Sequence, residues 1–342
     1  MADIDIFNGD ADGICALTQL RLAEPRDARL VTGVKRDINL MAQVEAQAGD
    51  RITVLDVSLD KNRDALQRAL AAGAEVLYVD HHFAGEIPQH PRLTAFINEA
   101  PDVCTSLLVN GRLDNRYAEW AVTGAYGDNL KRSAEAIARP LGLSSGQLQQ
   151  LEALGTYLNY NGYGENIDDL HFAPDALFRL VSPHASPFDF INEGREHFDR
   201  LAEGYRTDMD RAASTPLMAG ATEHAALLVL PDAAWARRVC GVFSNDLTNL
   251  HPDRAHAVLT EKANGHYLVS VRAPLNRKHG ADVLCRKFPS GGGRAAAAGI
   301  NDLPGDQVGE FVRQFKAQFG ADGEGVKGHI HPFAPRIPGP AL

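Results

Sequence analysis

The chain has 342 residues, 44% of them hydrophobic and 23% charged, proportions that exclude collagen-like, disulfide-scaffold and wholly disordered readings. At about 150 residues per domain the length predicts two domains, with enough interior to fold without a metal or disulfide staple. The 34 basic and 44 acidic residues leave a net charge of −10, so any polyanion must be met through a local basic patch or a bound cation.

In chain order, residues 4–7 are short and apolar enough for a buried strand. A helical pattern then opens at Gly13, with Ile14, Leu17 and Leu20 on one face. Segments 30–34 and 52–57 are further predicted strands. Residues 62–72 form a predicted helix with Ala65, Leu66, Ala69 and Leu70 on its apolar side, stopped by Gly73. Strands at 75–79 and 93–97 complete an alternation that predicts an α/β fold: an N-terminal parallel sheet with helices on both faces. Function in such sheets gathers where strands end and loops begin.

From about 106 to 160 the pattern is mostly helical. A stretch rich in Pro, Ser and aromatic residues comes next, and 188–211 is predicted as one connecting helix. The second domain is expected to be a smaller α/β unit with a mixed sheet. It has a strand at 225–230, a helix around 235–247, and strands at 255–260 and 266–272 flanking Asn264-Gly265, a type I′ hairpin signal. A glycine loop at 290–293 precedes a small-residue run and a last helix near 306–319. The expected divisions are 1–185, a linker helix at 186–214, 215–320, and a mobile tail at 321–342 rich in Gly and Pro.

Cys15, Cys104, Cys240 and Cys285 are far apart with no CxxC pair, which predicts reduced thiols. Acids occupy the N-terminus where a signal peptide would need basic and then apolar residues, and no stretch approaches the roughly 18 apolar residues of a membrane span. A cytoplasmic protein without membrane contact is the expectation.

The informative pattern is where the acids fall. Asp10 and Asp12 follow the first strand, Asp56 ends the third, and Asp80-His81-His82 ends the fourth. Singly, each has an ordinary explanation: Asp10 and Asp12 as a helix cap, Asp56 as a turn residue, the histidines as a structural pair. Together, three strand ends bearing acids or imidazoles are hard to explain as caps. Adjacent strands would bring them into one crevice, where crowded carboxylates resist joint ionisation unless a divalent cation joins them. Mixed carboxylate and imidazole ligands suit Mn²⁺, Fe²⁺ or Zn²⁺, and a pair of ions about 3.5–4 Å apart would make hydroxide near neutral pH and clamp a phosphoryl group.

These motifs make the sequence resemble the DHH phosphoesterase family, which includes RecJ-like exonucleases, small-oligonucleotide ribonucleases, cyclic-dinucleotide phosphodiesterases and manganese-dependent pyrophosphatases. The resemblance rests on Asp10-Ala11-Asp12-Gly13, Asp56, Asp80-His81-His82 and the acid of Gly127-Asp128-Asn129, and on Ser290-Gly291-Gly292-Gly293-Arg294 and its flanks in a DHH-associated domain. It implies that Asp10 and Asp56 hold one metal, that Asp12, Asp56, His81 and Asp128 hold another with Asp56 bridging, and that His82 faces the substrate phosphate. The ions would be Mn²⁺, with Mg²⁺, Fe²⁺, Co²⁺ or Zn²⁺ as alternatives. Nothing in the spacing singles out Asp128, which reads otherwise as a helix-end acid. Two departures stand out. Where many relatives place a His this chain has Ile6, and where RecJ-like relatives place an acid it has Asn8, an uncharged candidate ligand. After the glycines it has Arg294 for the usual His.

Between residues 266 and 294 six basic residues face one acid, a net +5. Arg277 and Lys278 read as a solvated helix face. Arg272, at a strand end, and Arg294, after Gly291, Gly292 and Gly293, are expected to bind phosphate, the glycines allowing an anion nest or else a flexible turn. His279, His329 and His331 lack ligand spacing. The segment 159–164 is either a set of rings for base stacking or a structured loop. The expected activity is metal-dependent hydrolysis of phosphodiester bonds in short single-stranded oligonucleotides, cyclic dinucleotides or related nucleotides, with no long duplex and with a homodimer left open. Hydrolysis of pyrophosphate or a small phosphomonoester, and nucleotide binding by a regulator with a degenerate metal site, are the alternatives.

Overall fold

A computed structural model describes residues 1–320; the predicted tail at 321–342, with His329 and His331, lies outside the described residues. One compact unit spans Met1–Gly204 and a second begins at Tyr205. The first is built on strands β1 (Asp3–Phe7), β2 (Arg29–Val31), β3 (Arg51–Leu55), β4 (Glu75–Asp80) and β5 (Leu93–Ile97). They pair in the order β2-β1-β3-β4-β5, every pair parallel.

Alternation along the strands assigns the two faces. Ile4, Ile6, Ile52, Val54, Val76 and Tyr78 share one buried cluster with Ala65, Leu66, Ala69 and Leu70 of helix α2 (Leu59–Ala71). Asp5 and Thr53 point the other way, toward helix α1 (Ala11–Ala23), where Arg21 grips Asp5 through two bonds of 2.7 Å and reaches Thr53 Oγ1 at 3.1 Å. Helices α3 (Thr105–Arg112), α4 (Ala118–Gly127), α5 (Lys131–Ala138), α6 (Ser145–Gly162) and α7 (Pro174–Val181) come after β5. Helix α4 is buried over nearly its whole length, as its small and apolar composition requires.

The connecting segment predicted as one helix over 188–211 is two: α8 (Pro187–Glu193), opened by a Ser186–Asp189 capping box, and α9 (Arg195–Ala213). They break at Gly194, whose backbone leaves the helical region (φ −90°, ψ 27°) and where a Cβ would fall 2.9 Å from Phe190 O.

The second unit contains β6 (Ala225–Leu230), α10 (Ala234–Leu250), β7 (Ala255–Glu261), β8 (Tyr267–Arg272), α11 (Ala281–Cys285), β9 (Gly291–Gly293), β10 (Ala297–Leu303) and α12 (Val308–Phe319). Its sheet, ordered β6-β7-β8-β10-β9, is mixed: β6 and β7 are parallel and the other pairs antiparallel. Phe311, Phe315 and Phe319, one turn apart on α12, seal its core against Leu227, Leu259, Val269, Val271 and Ile300.

The structure corrects three local expectations. The β7–β8 turn is not type I′, because only Gly265 has positive φ (76°) and Asn264 does not. Gly265 N–H donates to Lys262 O at 3.0 Å and Lys262 N–H to His266 O at 2.9 Å, closing a three-residue loop with a left-handed glycine. The glycine segment is not an open nest: Gly291, Gly292 and Gly293 pair with Ile300, Gly299 and Ala298 as edge strand β9. A Cβ on Gly291 would fall 1.9 Å from Cys285 O, so glycine is required there by close backbone approach. Arg277 and Lys278 lie exposed in a turn, not on a helix.

His256, buried at the start of β7, has no hydrogen-bond partner for Nδ1. Burial, with the charges of Arg254 and His251, pushes it from 6.5 to about 3. Between those values the unfolded chain binds the extra proton, so stability is whole above pH ~6.5 and falls as the pH drops, by about 1.4 kcal/mol per unit. Moving from pH 7 to pH 5 is expected to cost the parent chain about 2 kcal/mol more than it costs His256→Gln, as measured by urea unfolding; equal losses would refute this. Among the described residues, no helix is long and apolar enough to cross a membrane.

Candidate metal centre

β1, β3 and β4 are neighbours in the middle of the first sheet. The chain runs from β1 outward to β2 and then crosses back to β3, so β1 and β3 flank a topological switch point, where such sheets open a crevice. The strand ends that carry Asp10 and Asp12, Asp56, and His81 and His82 therefore converge.

Asp10 is the N-cap of α1: its Oδ1 accepts from the backbone of Asp12 (3.0 Å) and Gly13 (3.2 Å). A Cβ on Gly13 would lie 2.1 Å from Asn8 O, so this tight strand-to-helix turn admits only glycine there. Asp12, wholly buried, is held by two backbone donors at the start of α3: Thr105 N–H and Ser106 N–H, both at 2.7 Å. Two such bonds fix the position of its carboxylate. Asp56 follows β3 with φ 60°, a left-handed conformation few side chains adopt. Its backbone N–H donates to Val79 O at 3.1 Å, and Thr105 Oγ1 donates to its Oδ1 at 3.1 Å.

His81 is nearly buried, with Nδ1 2.8 Å from Val103 O. A carbonyl only accepts, so Nδ1 is the donor, and in the neutral tautomer that this bond selects Nε2 keeps the lone pair that a metal would take. That lone pair faces Asp56 Oδ1 at 3.4 Å, Asp128 Oδ2 at 3.5 Å and Asp12 Oδ2 at 3.9 Å. His82 is half-exposed and bonded through Nδ1 to Asp80 Oδ1 at 2.8 Å. Desolvation works against its protonation, but the hydrogen bond and charge of Asp80, with Asp56, raise it above the usual imidazole value. Asp128 caps the C-terminus of α4. Two groups offer one ligand atom each within 4.8 Å of one another: Asp12, His81 and Asp128, and Asp56, His81 and His82.

The donor set suits a divalent cation. Burial, then the charges of Asp12 and Asp10, push the Asp56 carboxyl well above its ordinary range, the strain expected of crowded carboxylates without a cation between them. An imidazole lone pair among carboxylate oxygens is repulsive until a cation joins them, and oxygen with one nitrogen suits Mn²⁺ or a neighbouring transition ion.

Lys35 is a site residue that sequence reasoning missed. Its Nζ pairs with Asp10 Oδ2, lies 2.9 Å from Asn159 Oδ1 and 3.4 Å from Asp128 Oδ1, and sits 5.5 Å from the Tyr163 ring centre. Burial opposes its charge, but Asp10, Tyr163 and Asp128 raise it well above the usual lysine value. Asn8, anticipated as a ligand, gives its Nδ2 to Lys35 O at 3.2 Å, while its Oδ1, the atom that could ligate, is buried without a hydrogen-bond partner. The segment 159–164 is neither a stacking platform nor a loop throughout: it is the last turn of α6 and the two residues beyond it, with Tyr160 and Tyr163 buried and the Tyr160 hydroxyl 2.8 Å from His171 Nε2. In the second unit, Arg272 Nε donates to Asn245 Oδ1 at 2.8 Å and its NH1 to Ser270 Oγ at 3.1 Å. Arg294 is exposed at the turn between β9 and β10.

No protein-family model matches the sequence, and no curated protein matches it. Solved structures do. An exonuclease RecJ bound to manganese is similar with a TM-score of 0.60 and 18% identity, over 92% of this chain and 89% of that one. RecJ of Thermus thermophilus in complex with Mn²⁺ is similar with a TM-score of 0.58 and 19% identity over 92% of this chain, which spans 51% of that RecJ. The pGpG-specific phosphodiesterase PggH of Vibrio cholerae is similar with a TM-score of 0.54 and 16% identity, over 93% of this chain and all of that one. The chain has the RecJ-like DHH fold that its motifs implied.

Proposed function

We propose that the protein is a metal-dependent phosphodiesterase acting on short oligonucleotides, cyclic dinucleotides or related nucleotides. The observation that carries the reading is the His81 Nε2 lone pair, fixed by Val103 O and faced by carboxylates from three separate elements at 3.4 to 3.9 Å. Asp12, Asp56, His81 and Asp128 would hold the cation, Mn²⁺ by preference. When bound it supplies a water acidic enough to be hydroxide near neutral pH and a Lewis acid for a phosphoryl oxygen.

The protein's own groups do the rest. The Thr105 and Ser106 amides hold Asp12 in place, so little reorganisation is needed on binding. His82, its Nδ1 anchored on Asp80, is free to turn Nε2–H to a phosphate oxygen and offset developing charge. Arg272, Arg294 and the edge of Gly291, Gly292 and Gly293 would hold further phosphate in the second unit, Arg294 without any part in proton transfer. Similarity to an exonuclease and to a pGpG phosphodiesterase supports the substrate class.

The test is release of mononucleotides from RNA and DNA of two to five residues and from cyclic dinucleotides, run beside pyrophosphate and a phosphomonoester. Release is expected with Mn²⁺, lost on chelation and restored by adding Mn²⁺ back. Phosphate from pyrophosphate alone would overturn the substrate assignment. Tight nucleotide binding with no turnover under any divalent ion would overturn the enzymatic one.

A further inference from the structure

We infer that the Lys35 ammonium stands in for one of two cations, so that the centre takes a single divalent ion at Asp12, Asp56, His81 and Asp128. The inference rests on the proposed metal centre and specifies how many ions it holds.

Four carboxylates meet at this centre: Asp10, Asp12, Asp56 and Asp128. Both oxygens of Asp12 are held by backbone amides, but Asp10 is the carboxylate with one oxygen on the backbone and the other on a side-chain cation. Oδ1 caps α1 through the Asp12 and Gly13 amides, and Oδ2 is paired with Lys35 Nζ. A second ion beside Asp10 would have to displace that ammonium. Lys35 is anchored against displacement, with its backbone N–H on Gly162 O at 2.7 Å, its Nζ on Asn159 at 2.9 Å and the Tyr163 ring beside it. Asn8, the other polar group after β1, gives its amide hydrogen to the Lys35 carbonyl; its Oδ1 has no hydrogen-bond partner but, being neutral, brings no charge to a second ion.

With four carboxylates, one ammonium and one divalent ion, the formal charge of the centre is −1. A second divalent ion would take it to +1, so net charge does not decide between them; what opposes the second ion is the repulsion of two divalent ions set beside an ammonium. Lys35 also reaches Asp128 Oδ1 at 3.4 Å, while Asp128 Oδ2 faces His81. Asp128 would thus serve both the ammonium, through Oδ1, and an ion held with His81, through Oδ2.

The experiment uses the full chain, stripped with chelator and titrated with Mn²⁺. Bound metal is counted after equilibrium dialysis, and the bound ion is examined by electron paramagnetic resonance. The parent is expected to bind one Mn²⁺ per chain with the spectrum of an isolated ion. Lys35→Met and Lys35→Gln, shown folded by circular dichroism, are expected to bind two with the broadened spectrum of an exchange-coupled pair, and Lys35→Arg to remain at one. Two coupled ions in the parent would overturn the inference and leave the metal centre standing. One ion in both the parent and the Lys35→Met and Lys35→Gln chains would overturn the role of Lys35. No bound ion in any of them would overturn the metal centre, and this inference with it.

Discussion

Asp56→Gly is expected to abolish metal-dependent hydrolysis and yet leave the chain as stable as the parent within about 1 kcal/mol. Asp56 has φ 60°, a region that costs a side chain about 1 kcal/mol and costs glycine almost nothing. Its carboxyl is buried near Asp10, Asp12 and Asp128, whose charges raise it together with desolvation. Removing it relieves repulsion and backbone strain at the expense of one bond from Thr105 Oγ1, itself worth about 1 kcal/mol. In activity the loss should be about a thousandfold or more, equivalent to ~4 kcal/mol of barrier. Asp56→Ala should be as inactive, and Asp56→Asn, which tolerates the same backbone, separates charge from shape. Rates with Mn²⁺ and urea midpoints in chelator check both halves. Retention of activity within about tenfold would remove Asp56 from the centre. A stability loss of several kcal/mol would make it a structural residue.

Arg21→Met is expected to destabilise the chain by about 3–5 kcal/mol. Asp5 is 2% exposed and lies in β1, an interior strand, and the Arg21 guanidinium meets both its oxygens at 2.7 Å. Without Arg21 the carboxylate is buried and uncompensated, the costly way to break such a pair. Replacing both partners together, Asp5→Leu with Arg21→Met, should recover most of the loss, because two apolar side chains need no counter-charge. The pair also clamps α1 to the sheet beneath Asp10 and Asp12, so the single variant should lose metal affinity as well. Equilibrium urea unfolding of both variants is the measurement, and a cost below about 1 kcal/mol for Arg21→Met would show that water reaches Asp5.

Local periodicity and strand-end position made much of this protein legible in its sequence. The strands of the first unit and β6, β7 and β8 of the second, the stop at Gly73 and the places of Asp10, Asp12, Asp56, His81 and His82 all follow from rules that act within a few residues; β9 and β10, expected as a glycine loop and a small-residue run, did not. Asp128 had no such signal and came only from the family resemblance, because a helix-end acid looks the same whether or not an imidazole waits 3.5 Å away.

What the tertiary structure alone decided depends on partners distant in the chain. The β2-β1-β3-β4-β5 order turns three separate acidic strand ends into one cluster. The glycines at 291–293 become a strand because β10 offers an open edge to pair with. Lys35 looks like any loop lysine beside Arg36. It enters the centre because Gly162 O takes its backbone N–H and because Asn159, 124 residues further on, takes its ammonium. A sequence pattern records which side chains a segment carries and how often they recur; which charges end up sharing a dry cavity is a property of the packed chain.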